Sequence, residues 1–403
     1  MRLTALRPRY MRVSIQEFLR VSPGPGGYDW SRADAYLEAF ARTGAQLVVS
    51  FNLKPSWLFP SVDHEQWRPT DTKAWRTLIG DVVRRYSVER SWVSHWEASQ
   101  EPDIGELGGT PFKIVDARDY WGFYMDFADV IEAVAPEAKI GGPGVAFGPT
   151  AEPLPGFVAL CKERGTRLDF VSWHLYKNAP ERHTQAVAFA RNLLNELSPI
   201  PQLMLSEWNS GFSPINVVET SNDPAYDALV AANLLEYFDS GADSTFLYHA
   251  FDQAGDPADF SGWFSPDSAE NVRKAWSDSP LRLGILSEDG SPRGRYFVYQ
   301  ALADLGTDRV SATCSDTLRA LAARTTSATR ILIVNADIDG GGDRLVNLNI
   351  SGIRPGRARF SHARLDGSSG WRVLEGRDVY IEDRWMTDLL IPSDSVTQVS
   401  LRW

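Results

Sequence analysis

Over residues 71–86 the apolar side chains Trp75, Leu78, Ile79, Val82, Val83 and Tyr86 return every three or four positions, as one face of a helix requires, and Asp71 or Thr72 can cap its first turn. The same spacing predicts helices over 28–43, 119–134, 181–197, Pro224–Ser240 and Gly294–Leu305, several of them followed by a glycine that stops them. Between the helices lie short apolar runs at 9–15, 46–53, 92–103, 139–142, 169–176, 202–206, 244–250 and 284–286, which read as strands. Eight strands alternating with helices, joined by crossovers long enough for parallel pairing, predict a (β/α)8 TIM barrel with its functional groups at the C-terminal strand ends. An open doubly wound sheet is set aside, because no strand runs into GxGxxG and the GGPG run at 141–144 is too short for a phosphate cradle; that run reads as a turn. Past Gly306 the texture changes to short apolar runs at 318–323, 330–335, 345–350 and 396–401, with turns such as LDGSSG between them. The expected division is therefore a barrel over 1–306 and a C-terminal antiparallel β-sandwich over 307–403 that serves as a structural module.

Length fits this division, since 403 residues accommodate a barrel of about 250 residues and a smaller domain of about 100. A formal charge of −11 with no run of Lys or Arg argues against a nucleic-acid partner. No apolar run reaches transmembrane length and the first residues lack the apolar core of a signal peptide, so a soluble chain without a membrane partner is expected; an upstream targeting signal that has been removed stays open, as does oligomeric state. Cys161 and Cys314 fall in different predicted domains, which indicates neither a disulfide framework nor a CxxC metal site. Fourteen Trp residues supply aromatic faces of the kind that stack on sugar rings as well as filling cores.

The chemistry concentrates in WVSHWEASQEPD at 92–103 and PQLMLSEWN at 201–209. Pro102 cannot donate to a ladder and biases its predecessor toward extended backbone, so Glu101 is expected at a strand end with its side chain free for the barrel mouth. Apolar residues run likewise into Glu207, and two carboxylates at strand ends are the minimum equipment for cutting a glycosidic bond. One of the pair must be protonated near neutral pH to release the leaving oxygen, while the other stays ionised. Glu97, four positions before Glu101, would point to the same side but deeper, as a buried hydrogen-bond partner, and His174 and Tyr176 alternate onto one face of their strand.

In this order and spacing the strings resemble a known family. Trp96-Glu97 followed by Gln100-Glu101-Pro102-Asp103 is similar to the W-x-E-x-W-N-E-P-N motif of glycoside hydrolase family 39 and its clan of retaining barrel glycosidases. Ser172-Trp173-His174-Leu175-Tyr176 resembles that clan's S-x-H-x-Y, and Ser206-Glu207-Trp208-Asn209-Ser210 resembles its nucleophile motif T-E-W/F-N-S/T. The resemblance implies that Glu101 is the general acid/base and Glu207 the nucleophile, with carboxyl groups about 5–5.5 Å apart and a covalent glycosyl-enzyme intermediate. It also implies that Tyr176 donates to Glu207, that His174 contacts sugar or supports the carboxylates, and that no cofactor or metal is needed. Oligosaccharides or polysaccharides, among them β-xylosides, become the expected substrates. Arg12, Asn52, Trp57, Trp208, Tyr248, His249 and Asp252 are candidate substrate-binding residues. Gln100 departs from the family's Asn by one methylene, which bears on how the sugar 2-hydroxyl is held. The competing readings are a carbohydrate-binding barrel that has lost turnover and a transglycosylase using the same intermediate.

Overall fold

The computed structural model describes residues 2–14, 21–176, 180–210, 223–252, 260, 262–274, 283–314, 318–336 and 342–403. Seven strands form one parallel sheet in chain order: β1 (Tyr10–Ser14), β2 (Gln46–Ser50), β3 (Val93–Glu97), β4 (Lys139–Val145), β5 (Phe170–Tyr176), β6 (Gln202–Asn209) and β7 (Ser244–Leu247). The sheet curls into a nearly closed barrel. Helices α1 (Arg2–Ala5), α2 (Ser31–Ala41), α3 (Thr72–Val83), α4 (Ala117–Val134), α5 (Leu154–Arg164), α6 (Pro180–Leu194), α7 (Pro224–Ser240), α8 (Pro266–Arg273) and α9 (Gly294–Leu305) accompany it. The Asp71 side chain accepts from Ala74 N–H at the head of α3, and the buried face of that helix carries the apolar repeat that predicted it.

Strand periodicity sorts the side chains into layers. Tyr10, Val48, Phe170, Met204 and Phe246 pack together inside the barrel. Two residues further along each strand the interior turns polar, with Arg12, Ser50, Glu97, Ser172 and Ser206. The alternate neighbours, such as Leu47, Val49, Trp96, Val171, Trp173, Leu203 and Leu205, face the helices and join the main core. A polar layer resting on an apolar plug is what lets charged groups collect at one end of the barrel without water reaching them from below.

Several expectations change. The predicted eighth strand at 284–286 reduces to an isolated parallel bridge, Leu286 with Phe251, at the end of β7; among the described residues no strand pairs with the outer edge of β1 or β7. The GGPG run is part of β4 and not a turn. Gly141 stands against Phe170 and Gly142 against the Tyr120 hydroxyl so closely that a Cβ would fall 2.1 Å and 2.4 Å from them, so small residues here let β4 continue where a side chain would block it. Helices α5 and α8 were not anticipated, and Ile15, the expected end of the first strand, lies outside the described residues.

From Asp308 the chain is antiparallel. Strands β8 (Asp308–Val310), β9 (Leu318–Arg324), β10 (Ala328–Asn335), β12 (Gly356–Leu365), β13 (Trp371–Ile381) and β15 (Ser395–Arg402) form a six-stranded sheet in the order β13-β12-β15-β10-β9-β8. The pair β11 (Arg344–Ser351) and β14 (Arg384–Ile391) covers one face through Phe360, Ile381, Trp385, Leu389, Val399 and Leu401. The other face shares the barrel's core through Leu321, Leu332, Val334 and Val396.

Candidate active site

The polar layer is built around Arg12. Its guanidinium donates to Glu97 Oε2 from Nε at 3.0 Å and Nη2 at 2.6 Å, to Ser50 Oγ at 3.1 Å, to Gln100 Oε1 at 3.0 Å, and through Nη1 to Glu207 Oε2 at 3.1 Å. Glu97 is fully buried and also accepts from Ser50 Oγ at 2.5 Å. Burial alone would push its carboxyl up, yet the Arg12 charge and the hydroxyl donors outweigh that and hold it below the usual range. Arg12 itself resists the desolvation that would lower it, because Glu97 and Glu207 hold its charge in place. An ionised Glu97–Arg12 pair therefore forms the floor on which the mouth residues stand.

Glu207 lies on β6, where strict alternation would turn it toward the helices, since Ser206 already faces inward. The register of β5 against β6 slips between Trp173 and His174, pairing His174 with Glu207, and this irregularity brings both Ser206 and Glu207 to the cavity wall. Besides Arg12, Glu207 receives the Tyr176 hydroxyl at 2.5 Å. Burial and the neighbouring Glu207 charge raise Tyr176 well above the ordinary phenol value, so it stays a donor. A cation and a hydroxyl aimed at Glu207 suit a carboxylate and not a carboxylic acid.

Glu101 is not at a strand end in extended backbone. β3 stops at Glu97, and Glu101 sits beyond it with φ +43°, in the left-handed region. The preference that Pro102 imposes is overridden by hydrogen bonds on both sides: Glu101 N–H donates to Gly144 O of β4 at 2.8 Å, and its carbonyl accepts from Ile104 and Gly105. The side chain is thereby turned inward. Burial, the Asp103 carboxylate and Glu97 push Glu101 up to about 8 against the pull of Arg12, so it is protonated at neutral pH. His174 Nδ1 lies 2.7 Å from Glu101 Oε1 and 3.8 Å from Glu207 Oε1; the ring is fully buried, which lowers its basicity and keeps it neutral. One donor atom each from Glu101, His174 and Glu207 lies within 4.8 Å of the others. Three such atoms could also enclose a metal ion.

The remaining candidates divide. Gln100, Arg12, Tyr176, Tyr248 and His249 line the same cavity of about 1360 Å³ as the two carboxylates, with Tyr248 set edge-to-face on Tyr176. Gln100 spans Arg12 and Gly108, donating to the Gly108 carbonyl at 3.2 Å. Trp208, adjacent to Glu207, is fully buried behind the wall against Tyr237 and His183. Asn52 is buried between Ser14 and Thr110, Trp57 donates to Ser22 outside the cavity, and Asp252 pairs with Arg293. None of these four is among the residues that line the cavity, although Asn52 reaches its edge through Ser14.

Gly108 was not foreseen. It packs on Glu101 so tightly that a Cβ would lie 2.1 Å from Glu101 Oε2 and 2.6 Å from its Cβ. Gly108→Ala should therefore displace the Glu101 side chain and lower kcat/KM by about 10²-fold, as a misplacement of roughly 1 Å does, while the thermal unfolding midpoint moves little. Unchanged kinetics would mean that Glu101 need not sit where it does.

Two carboxyl groups this close, one protonated and one facing a guanidinium, make the class of site that barrel glycosidases use. Comparison with known proteins gives the family. Residues 20–337 match Glycosyl hydrolases family 39, and the chain belongs to that family. A β-xylosidase of Geobacillus stearothermophilus is 28% identical over 253 residues, 54% of this chain and 48% of that protein; an α-L-iduronidase of Canis lupus familiaris is 29% identical over 170 residues, 38% of this chain and 25% of that one. The chain thus spans half or less of the length of these relatives. A glucosidase of Croceicoccus marinus, 20% identical, has the same fold over 100% of this chain and 91% of its own, with a TM-score of 0.75. Among the described residues no helix is long and apolar enough to cross a membrane.

Proposed function

We propose that this protein hydrolyses glycosides with retention of configuration, through a covalent glycosyl-enzyme. Glu207 attacks the anomeric carbon, and Glu101 protonates the departing oxygen and then deprotonates water. The observation that carries this reading is the close approach of the two carboxyl groups, with oxygens within 4.8 Å of one another, too near to leave room for a water between Glu207 and the sugar. Tyr176 and Arg12 hold Glu207 in line, and Gln100, fixed by Arg12 and Gly108, offers its amide to the sugar hydroxyl beside the reacting carbon. β-Xylosides are the first substrates to try, given the similarity to a β-xylosidase.

Proton NMR of the sugar first released from aryl β-xylosides and other aryl glycosides tests the stereochemistry. The β-anomer should appear before mutarotation from a β-glycoside. The α-anomer as first product would mean direct displacement by water, and no release from any sugar would favour a binding protein.

A further inference from the structure

Ser99 and Thr110 stand at the two ends of the loop that carries Gln100, Glu101 and Gly108, and both are fully buried. Their hydroxyl oxygens lie 3.2 Å apart, so the two side chains close the loop at its base. Thr110 Oγ1 donates onward to Asn52 Oδ1 at 3.1 Å, and Asn52 Nδ2 donates to Ser14 Oγ at 3.1 Å. A hydroxyl has one proton to give. Because Thr110 gives its own to Asn52, it accepts from Ser99, for which it is a nearer acceptor than the Gln100 carbonyl at 3.4 Å. The chain of bonds therefore runs one way, from Ser99 through Thr110 and Asn52 to Ser14, and joins the base of the loop to the ends of β1 and β2.

The backbone of the loop is held as closely. The Glu101 carbonyl accepts from Ile104 at 3.1 Å and Gly105 at 2.9 Å, the single turn over Gly105–Gly108 ends on left-handed Gly109, and Thr110 N–H returns to the Gly105 carbonyl at 3.4 Å. Lys54, buried two residues past Asn52, donates to the Pro111 carbonyl at 2.9 Å and to that of Asp63 at 2.8 Å. Thr110 and Pro111 are thus both gripped from the segment that follows β2. Two residues before Thr110 is Gly108, the surface on which the Glu101 carboxyl packs. A valine would fill the space of Thr110 as well, so what the hydroxyl adds is direction, fixing the loop base in one arrangement.

We propose that Ser99, Thr110 and Asn52 are positioning residues for Glu101, holding its loop so that the carboxyl meets the leaving oxygen. The assignment rests on the acid role given to Glu101 in the hydrolase reading. None of the three touches the reacting atoms; they act through Gly108 and the loop backbone.

Thr110→Val tests it with two substrates, xylobiose, whose leaving group needs a proton, and a dinitrophenyl β-xyloside, whose leaving group does not. The loss in kcat/KM on xylobiose should exceed that on the activated substrate by roughly tenfold or more, since a misplaced acid costs rate only where an acid is needed. The fall of kcat/KM at high pH, set by Glu101 at about 8, should also move to lower pH, because a loosened loop admits water to a carboxyl that burial has raised. Thr110→Ser, which keeps the hydroxyl, should restore both. Equal losses on the two substrates, or a high-pH fall that stays in place, would overturn the assignment while leaving hydrolysis intact. Should Thr110→Val fail to fold, Ser99→Ala removes only the donor at the loop base and is read in the same way. If the unaltered protein turns over neither substrate, hydrolysis of xylosides is what has failed, and NMR of protein carrying ¹³C-labelled glutamate then decides. The carboxyl signal missing from Glu101→Gln should titrate at lower pH in Thr110→Val than in the unaltered protein; the same midpoint in both rejects the positioning role.

Discussion

Glu207→Gln should reduce turnover by on the order of 10⁴-fold or more on every substrate, good leaving group or poor, because an amide cannot form the glycosyl ester. The substitution is nearly isosteric, and it leaves Arg12 its two contacts to Glu97, so the polar floor should survive and the fold with it. The effect separates from a structural one by rescue. In Glu207→Ala the space left beside Tyr176 can admit azide, and azide attacking the anomeric carbon directly should yield a glycosyl azide of inverted configuration. Retention of wild-type rates by Glu207→Gln would remove it as nucleophile. A loss of activity without any azide product would leave its role as support for the sugar or for Arg12 in place of attack.

How much of this could be read from the chain depends on whether a residue's role is local. His174 and Tyr176 were legible because a strand alternates, so two positions apart means one face. Glu97 is buried as expected, but alternation does not link it to Glu101, because β3 ends at Glu97 and the chain turns through left-handed backbone before Glu101. Trp208, expected as a sugar-binding candidate, instead packs on Tyr237, because the slip that turns Glu207 inward after Ser206 leaves its neighbour facing out. The reach of Arg12 to Glu97 and Glu207, 85 and 195 residues away, exists only once the barrel curls, so the sequence showed a possible sugar contact and not the cation that organises both carboxylates. Glu101's left-handed backbone was hidden because proline signals extension, and the bonds from β4 that overrule it are again remote in sequence. Helix α5 could have been found. Leu154, Phe157, Val158 and Cys161 keep helical spacing, but Pro155 and Gly156 in its first turn read as a loop, although proline is tolerated there. Gly108 had no signal at all, since a glycine that must be small for a neighbour looks like any glycine in a loop.

Glu101→Ala should behave unlike the nucleophile variant, because the need for an acid depends on what leaves. A natural glycoside departs as an alkoxide unless protonated, so removing Glu101 should cost about 10²–10⁴-fold in kcat/KM there, whereas a dinitrophenyl glycoside departs as a stable phenolate and should lose far less. The loss should grow with the pKa of the leaving group. With the activated substrate the first step stays fast while water attack on the glycosyl-enzyme lacks its base, giving a burst of phenol and acceleration by azide, which needs no deprotonation. The pH profile supplies an independent check. Glu101 is raised to about 8 and acts in its protonated form, so kcat/KM on a poor leaving group should hold below pH 8 and fall as pH rises through it. Asp103 contributes to that elevation as a nearby like charge, and Asp103→Asn should therefore draw the alkaline limb to lower pH. The limb should be missing from Glu101→Ala altogether. Equal losses on good and poor leaving groups, no azide effect and an unchanged alkaline limb would together take the acid/base role from Glu101 and leave a carbohydrate-binding barrel as the better description.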